Sequence, residues 1–181
     1  MAKNELIILV GTSGSGKTSL AKNVAQIENA PIISLSDLIR EQAAKDGFVS
    51  LTAYFKKYGI KEGFAKLRQH SIDLIIDKLK FGKVIVEGMY DAQLFEEVIK
   101  IVGRDQIFLV SIAGTRHARV QRVALRSALS KKQAEKKIRK RDKAKWLMGL
   151  AEISKQANHK IRANTRQEAI ANYKRIRHIR L

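Results

Sequence analysis

Nine consecutive residues near the N-terminus, Gly11, Thr12, Ser13, Gly14, Ser15, Gly16, Lys17, Thr18 and Ser19, match the spacing G-x-x-x-x-G-K-[ST]. Each residue type has a use around a phosphate. Gly11 and Gly16, helped by Gly14, let the backbone turn so that several N–H groups converge on one anion. A helix starting directly after the loop would add its positive end. Lys17, taken as a solvated loop lysine, would reach the terminal phosphates, and the Thr18 hydroxyl would ligate Mg²⁺. The implied ligand is the triphosphate of ATP or GTP with Mg²⁺. A chance match in a glycine-rich turn is the competing reading, and the flanking residues weigh against it.

Those flanks follow from hydrophobic patterning. Leu6–Val10 is a continuous apolar run of strand length, and Thr18–Gln26 is compatible with a helix. Ile32–Leu35, introduced by the only proline, Pro31, reads as a second buried strand, and Lys83–Val86 and Gln106–Ile112 as two more. From Leu38 to about Asp77 the pattern is helical, with breaks expected near Gly47, Gly59 and Gly63. Thr115 to about Asn158 is helical and basic, His159–Ala163 could be a last short strand, and Thr165–Lys174 a closing helix. Short apolar strands alternating with helices predict a parallel α/β sheet covered on both faces.

The 181 residues suit one such domain. Cysteine is absent, so disulfides and thiolate metal sites are excluded. No run of eighteen apolar residues occurs and no signal-peptide pattern is present, which points to a cytoplasmic protein without a membrane partner. The formal charge of +19 is unevenly placed: residues 115–181 hold 21 Lys/Arg against four Asp/Glu. That third either faces a polyanion, nucleotide phosphates or a nucleic acid, or is a solvated helical surface.

Further segments narrow the class. Residues 34–47, SLSDLIREQAAKDG, resemble the stretch of adenylate-kinase-like nucleoside monophosphate kinases that carries an aspartate and then a phosphate-binding arginine. Asp37 and Arg40 occupy those places here, with Ser36 where the family has glycine. VIVEGMYDAQ, residues 84–93, resembles the family's third strand, with Glu87 and Gly88 matching. An arginine usually follows a few residues later; Met89 and Tyr90 stand there instead. The basic segment opening with Arg116, Arg119 and Arg122 and containing Arg141–Asp142 resembles the lid of these kinases. Over nearly the whole chain the similarity is to an archaeal group whose substrate is unassigned. The resemblance implies a P-loop NTPase fold: a five-stranded parallel sheet with helices on both faces. The core would be residues 1–40 and 83–120, a helical substrate insert 41–82, and lid and C-terminal helices 121–181. It also implies catalytic roles for Lys17, Asp37, Arg40, Arg119 and Arg141, and metal roles for Thr18 and Glu87.

Each assignment has a plainer counterpart. Asp37 could act as a base toward a hydroxyl, or it or Ser36 could simply cap a helix. Arg40 could pair with a phosphate or lie on a solvated face. Glu87 ends an apolar strand, where a metal contact would offset the cost of a buried carboxylate. Trp146, with Leu147 and Leu150, is expected in core packing. The four histidines have no ligand spacing, so no transition-metal site is expected. Three activities stay open at this stage. One is phosphoryl transfer from ATP to a nucleoside monophosphate or related small nucleotide. The second is transfer to a hydroxyl of dephospho-coenzyme A or of a polynucleotide 5′ end, with Asp37 as base. The third is a nucleotide-switched RNA-binding ATPase.

Overall fold

The computed structural model describes residues 4–178. Its sheet has five parallel strands, β1 (Leu6–Gly11), β2 (Ile32–Ser34), β3 (Val84–Glu87), β4 (Ile107–Ala113) and β5 (His159–Arg162), in spatial order β2-β3-β1-β4-β5. The central strand β1 is buried along its whole length, which its unbroken apolar sequence requires of a parallel strand covered on both faces. Its alternate residues feed two cores. Leu6, Ile8 and Val10 pack with α5 (Arg68–Leu79), α6 (Ala92–Val102) and α9 (Leu150–Lys155). Ile7 and Leu9 pack with α1 (Lys17–Glu28) and α10 (Arg166–Ile176). Each fully buried leucine or isoleucine of β1 contributes roughly 1.5–3 kcal/mol through removal from water.

Register brings the functional ends together. Leu9 pairs with Glu87, Ser34 with Glu87, and Gly11 with Ile112, so the loop, Glu87 and Ser34 emerge at one carboxyl edge. Ligands collect at that edge in open α/β sheets, because the order of strands reverses there and leaves a crevice.

Between β2 and β3 lie α2 (Leu35–Lys45), α3 (Leu51–Tyr58), α4 (Ile60–Ala65) and α5. They hold a small aromatic core in which Ile39, Ala43, Tyr54 and Leu67 are buried among Phe48, Phe55, Tyr58 and Phe64. Gly63, expected to break the helical pattern, lies inside α4 instead. A Cβ there would come within 2.9 Å of the Tyr54 and Phe55 rings, so the residue is glycine for closeness rather than for a turn. After β4 come α7 (Arg116–Ser127) and α8 (Lys131–Leu147), which pack against each other through Val120, Val123, Ala134 and Ile138. Ser130 starts α8 with a capping box to Gln133, which explains why so basic a segment holds a helix here.

Candidate active site

Residues 11–16 form the turn between β1 and α1. Gly11 has φ of 149°, and a Cβ on it would lie 2.2 Å from the Ile112 carbonyl oxygen. Gly14 has φ of 75° and its missing Cβ would meet the Arg119 carbonyl at 2.9 Å, so neither position admits a side chain. The Ser13 hydroxyl is buried with no partner among the described residues, leaving a spare donor in the loop. Thr18 and Ser19 are exposed at the start of α1.

Lys17 corrects an expectation. It is buried rather than solvated, at 7% exposure, because its Nζ folds back over the loop to donate to the Thr12 carbonyl at 2.9 Å. Burial, and then the neighbouring charge of Lys145, push its ammonium down to about 7, against the pull of Glu87 and Asp142. A cation so desolvated gains strongly when an anion arrives.

Glu87 is buried at 4% exposure, and among the described residues its carboxylate accepts hydrogen bonds from neutral hydroxyls alone. Thr18 Oγ1 donates to Oε1 and Oε2 at 3.2 Å, and Ser34 Oγ donates to Oε1 at 3.0 Å. A buried negative charge without a cationic hydrogen-bond partner among the described residues fits a hard divalent cation. Mg²⁺ commonly takes one carboxylate and one hydroxyl from a protein and completes its octahedron with phosphate oxygens and water.

The basic helices reach the loop by a route that the spacing of Arg116, Arg119 and Arg122 did not reveal. The Ser13 N–H donates to Asp142 Oδ1 at 2.8 Å, while Arg119 Nε donates to the Ser13 carbonyl at 2.8 Å and its Nη2 pairs with Asp142 Oδ2. Both backbone polar groups of one loop residue are thus stapled to α7 and α8. Arg122 bonds the Gly14 carbonyl at 2.9 Å and the Asn164 carbonyl at 2.5 Å, tying the loop to the turn after β5. Arg116 instead points away, to Glu135 at 3.3 Å, and is 73% exposed.

On the other flank of Glu87, Asp37 and Arg40 form an exposed ion pair with each other in the first turns of α2. The cap of α2 is Ser34, so neither Ser36 nor Asp37 is the N-cap; the helix starts earlier than its sequence suggests because Ser34 already ends β2. Met89 is buried in the core and Tyr90 packs edge-on against Phe64, ring centroids 5.2 Å apart. Burial pushes the Tyr90 phenol up, while the charges of Arg40 and Arg141 pull the other way. Arg141 is itself pushed down, by burial and then by Arg126 and Arg40. Behind Tyr90, a buried Asp91 accepts from Arg68 Nε at 2.9 Å and caps α6. Thr18 and Glu87 thus meet through their side chains, Lys17 stays folded on the loop, Arg119 is held at Ser13 and Asp142, and Arg40 is paired with Asp37.

Trp146 and Leu147 are not core residues. They are 49% and 61% exposed and edge a groove of about 700 Å³ between α7 and α8, whereas Leu150 is buried as expected. Arg177, one of the 21 basic residues of the last third, is spent on Glu5 and Glu28 at 2.7 and 2.8 Å. Arg180 lies outside the described residues.

A phosphate loop at the carboxyl edge of a five-stranded parallel sheet, with a buried acidic residue on the next strand and basic helices stapled to the loop, is the make-up of a P-loop kinase. The chain belongs to the AAA domain family AAA_17, whose model matches residues 10–139, and it is a phosphotransferase of the nucleoside-monophosphate-kinase-like kind. It is similar to a cytidylate kinase of Pyrobaculum islandicum, 29% identical over 142 residues, which cover 76% of this chain and 68% of the relative. A cytidylate kinase of Methanocella arvoryzae is 33% identical over 104 residues, 53% of either chain. Among solved structures, a shikimate kinase from Bacteroides thetaiotaomicron superimposes with a TM-score of 0.63 over 96% of both chains at 20% identity, a likeness of fold. No helix among the described residues is long and apolar enough to cross a membrane.

Proposed function

We propose that the chain moves the γ-phosphoryl group of ATP onto a nucleoside monophosphate, with cytidylate the first candidate. The observation that carries this reading is the cationic crevice beside the loop, where Arg119 and Arg122 hold the loop carbonyls at 2.8 and 2.9 Å, Lys145 Nζ stands 5.4 Å from the Tyr90 ring centroid, and Asp37, the acid in the first turn of α2, is paired with Arg40. The cytidylate kinases to which the chain is similar support the choice of base. In this reading the loop amides and Lys17 hold the β- and γ-phosphates, and Thr18 and Glu87 hold Mg²⁺, which supplies neutralising charge when bound. Arg40 and Arg141 orient the acceptor. A phosphate oxygen of the acceptor forms a bond to the γ-phosphorus as the bond to the β–γ bridging oxygen breaks, giving ADP and a nucleoside diphosphate. The acceptor phosphate is already ionised, so no strong base is needed. Arg119 acts by fixing Ser13 and hence the loop. The insert 41–82 and the helices 121–181 bracket the two substrates and exclude water.

Labelled ATP presented with each nucleoside monophosphate, with nucleosides, with dephospho-coenzyme A and with RNA 5′ ends tests the proposal. Transfer to a monophosphate, with Asp37→Asn close to wild type, is the expected result. Transfer only to hydroxyl acceptors, with Asp37→Asn losing more than about a hundredfold in kcat, would replace it by the hydroxyl-kinase reading.

A further inference from the structure

Lys145 has no hydrogen bond and no ion pair among the described residues, yet it is only partly exposed. Its Nζ lies 5.4 Å from the centroid of the Tyr90 ring. The nearest acids are already committed: Asp142 to Arg119 and the Ser13 N–H, and Glu87 to Thr18 and Ser34. Helix periodicity explains why this lysine turns inward. Ile138, Asp142 and Lys145 stand at i, i+4 and i+7 on α8, and the first two are buried. The face that carries Asp142 to the loop therefore carries Lys145 one turn further, to Tyr90, three residues past the end of β3. Burial pushes its ammonium down, and the nearby Arg141 and Arg119 charges add to this.

The site thus holds two desolvated lysines, Lys17 on the loop, lowered further by the charge of Lys145, and Lys145 on α8, lowered further by Arg141 and Arg119. Such an arrangement is relieved by a polyanion in the crevice between them. Strand order says where Lys145 acts. β3 lies between β1, which carries the loop, and β2, which leads into the helix of Arg40. A group over the end of β3 is therefore on the acceptor side of the donor's phosphates.

We propose that Lys145, seated over the Tyr90 ring, binds the phosphate of the acceptor nucleotide and is the main determinant of acceptor affinity in this chain. The inference rests on the nucleoside monophosphate reading and adds the residue that grips the acceptor. Tyr90 serves through its ring face, which positions the ammonium by a cation–π contact, and not through its hydroxyl.

The test is equilibrium binding of CMP and, separately, of a non-hydrolysable ATP analogue, measured by calorimetry and by the fluorescence of Trp146, the only tryptophan. Lys145→Ala should weaken CMP about tenfold to a hundredfold, the loss of one charge-assisted contact, and change the ATP analogue less than about threefold. Lys145→Arg should recover most of the loss, Tyr90→Phe should bind CMP like wild type, and Tyr90→Ala should resemble Lys145→Ala. Unchanged melting of each variant separates these effects from misfolding. Wild-type binding of CMP with an equal affinity in Lys145→Ala overturns this inference alone. Equal losses for CMP and the ATP analogue also overturn it, by placing the lysine on the donor. A wild-type protein that binds none of the four common nucleoside monophosphates overturns the function proposed above and this inference with it.

Discussion

Nucleotide binding should draw a proton into the protein, and the size of that uptake follows from the position of Lys17. Burial and the charge of Lys145 hold its ammonium near 7 in the free protein. At pH 8 a group with that pKa is about one-tenth protonated. A bound triphosphate supplies the missing counter-charge and returns the lysine toward its ordinary value above 10, so it becomes fully protonated. The uptake at pH 8 is then about 0.9 proton per nucleotide. At pH 6 the lysine is already about nine-tenths protonated, and the uptake should fall to about 0.1. The sign is fixed: a depressed lysine gains a proton on binding an anion, so affinity weakens as pH rises above 7. The assay is calorimetric titration with a non-hydrolysable ATP analogue in buffers of different ionisation enthalpy, where the slope of apparent enthalpy gives protons taken up. Ligand phosphates are ionised at pH 8 and contribute little. Lys17→Met removes the group, and the difference between the two proteins isolates it from any uptake by Lys145. A slope near zero at pH 8, or the same slope in Lys17→Met, would refute the picture of a desolvated lysine waiting for phosphate.

Three further outcomes are expected. Glu87→Gln keeps an acceptor for Thr18 and Ser34 while removing the charge, so the fold should survive while activity needs at least about tenfold more Mg²⁺, read from a metal titration of turnover. Burial would raise the Glu28 carboxyl, but hydrogen bonds from Arg177, Lys83 and Tyr173 outweigh it and bring it down to about 2. The stabilisation, about 3 kcal/mol, is present above pH 4.5 and lost as pH falls through 2, so urea unfolding of wild type and Glu28→Gln should differ by that order at pH 7 and converge in acid. Neutralising Lys174 and Arg175 should leave transfer unchanged. If the basic third is a nucleic-acid footprint, the same change should weaken RNA binding and flatten its salt dependence; wild-type affinity weaker than about 10⁻⁴ M at low salt would dismiss that footprint.

The central strand and its loop were legible because two local signals agree there: an unbroken apolar run and a glycine spacing with one physical use. Glu87 was legible for a related reason, a carboxylate closing a strand with no other polar residue. Lys145 was not. It is one of 21 basic residues in the last third, and its place over the Tyr90 ring, just past the end of β3, sets it apart from solvated neighbours. A phase count could have singled it out: seven residues after Ile138 it returns to within about 20° of the buried direction, whereas Trp146 is about 80° away. Residue type alone put Trp146 in the core, where the structure leaves it half exposed. The staple at Ser13 was hidden for another reason, since Asp142 and Ser13 are 129 positions apart and nothing local links them.

That staple also makes α8 a lever with its fulcrum on the phosphate loop. From Asp142 to the helix start at Lys131 is about 16 Å, and from Asp142 to Lys145 about 4.5 Å in the opposite direction. Pivoting α8 about Ser13 would sweep its far tip more than three times as far as it moves the lysine, and the two ends would travel in opposite senses. A wide swing at the tip is thus geared down to a fine adjustment over Tyr90. Because Tyr90 also rests on Phe64, the same adjustment is felt by the aromatic core on the other flank of the crevice. Distance labels on Lys131 and on α3, followed as nucleotide is added, would show whether the two flanks move together; movement of α8 without any response in α3 would mean the gearing stops at Tyr90.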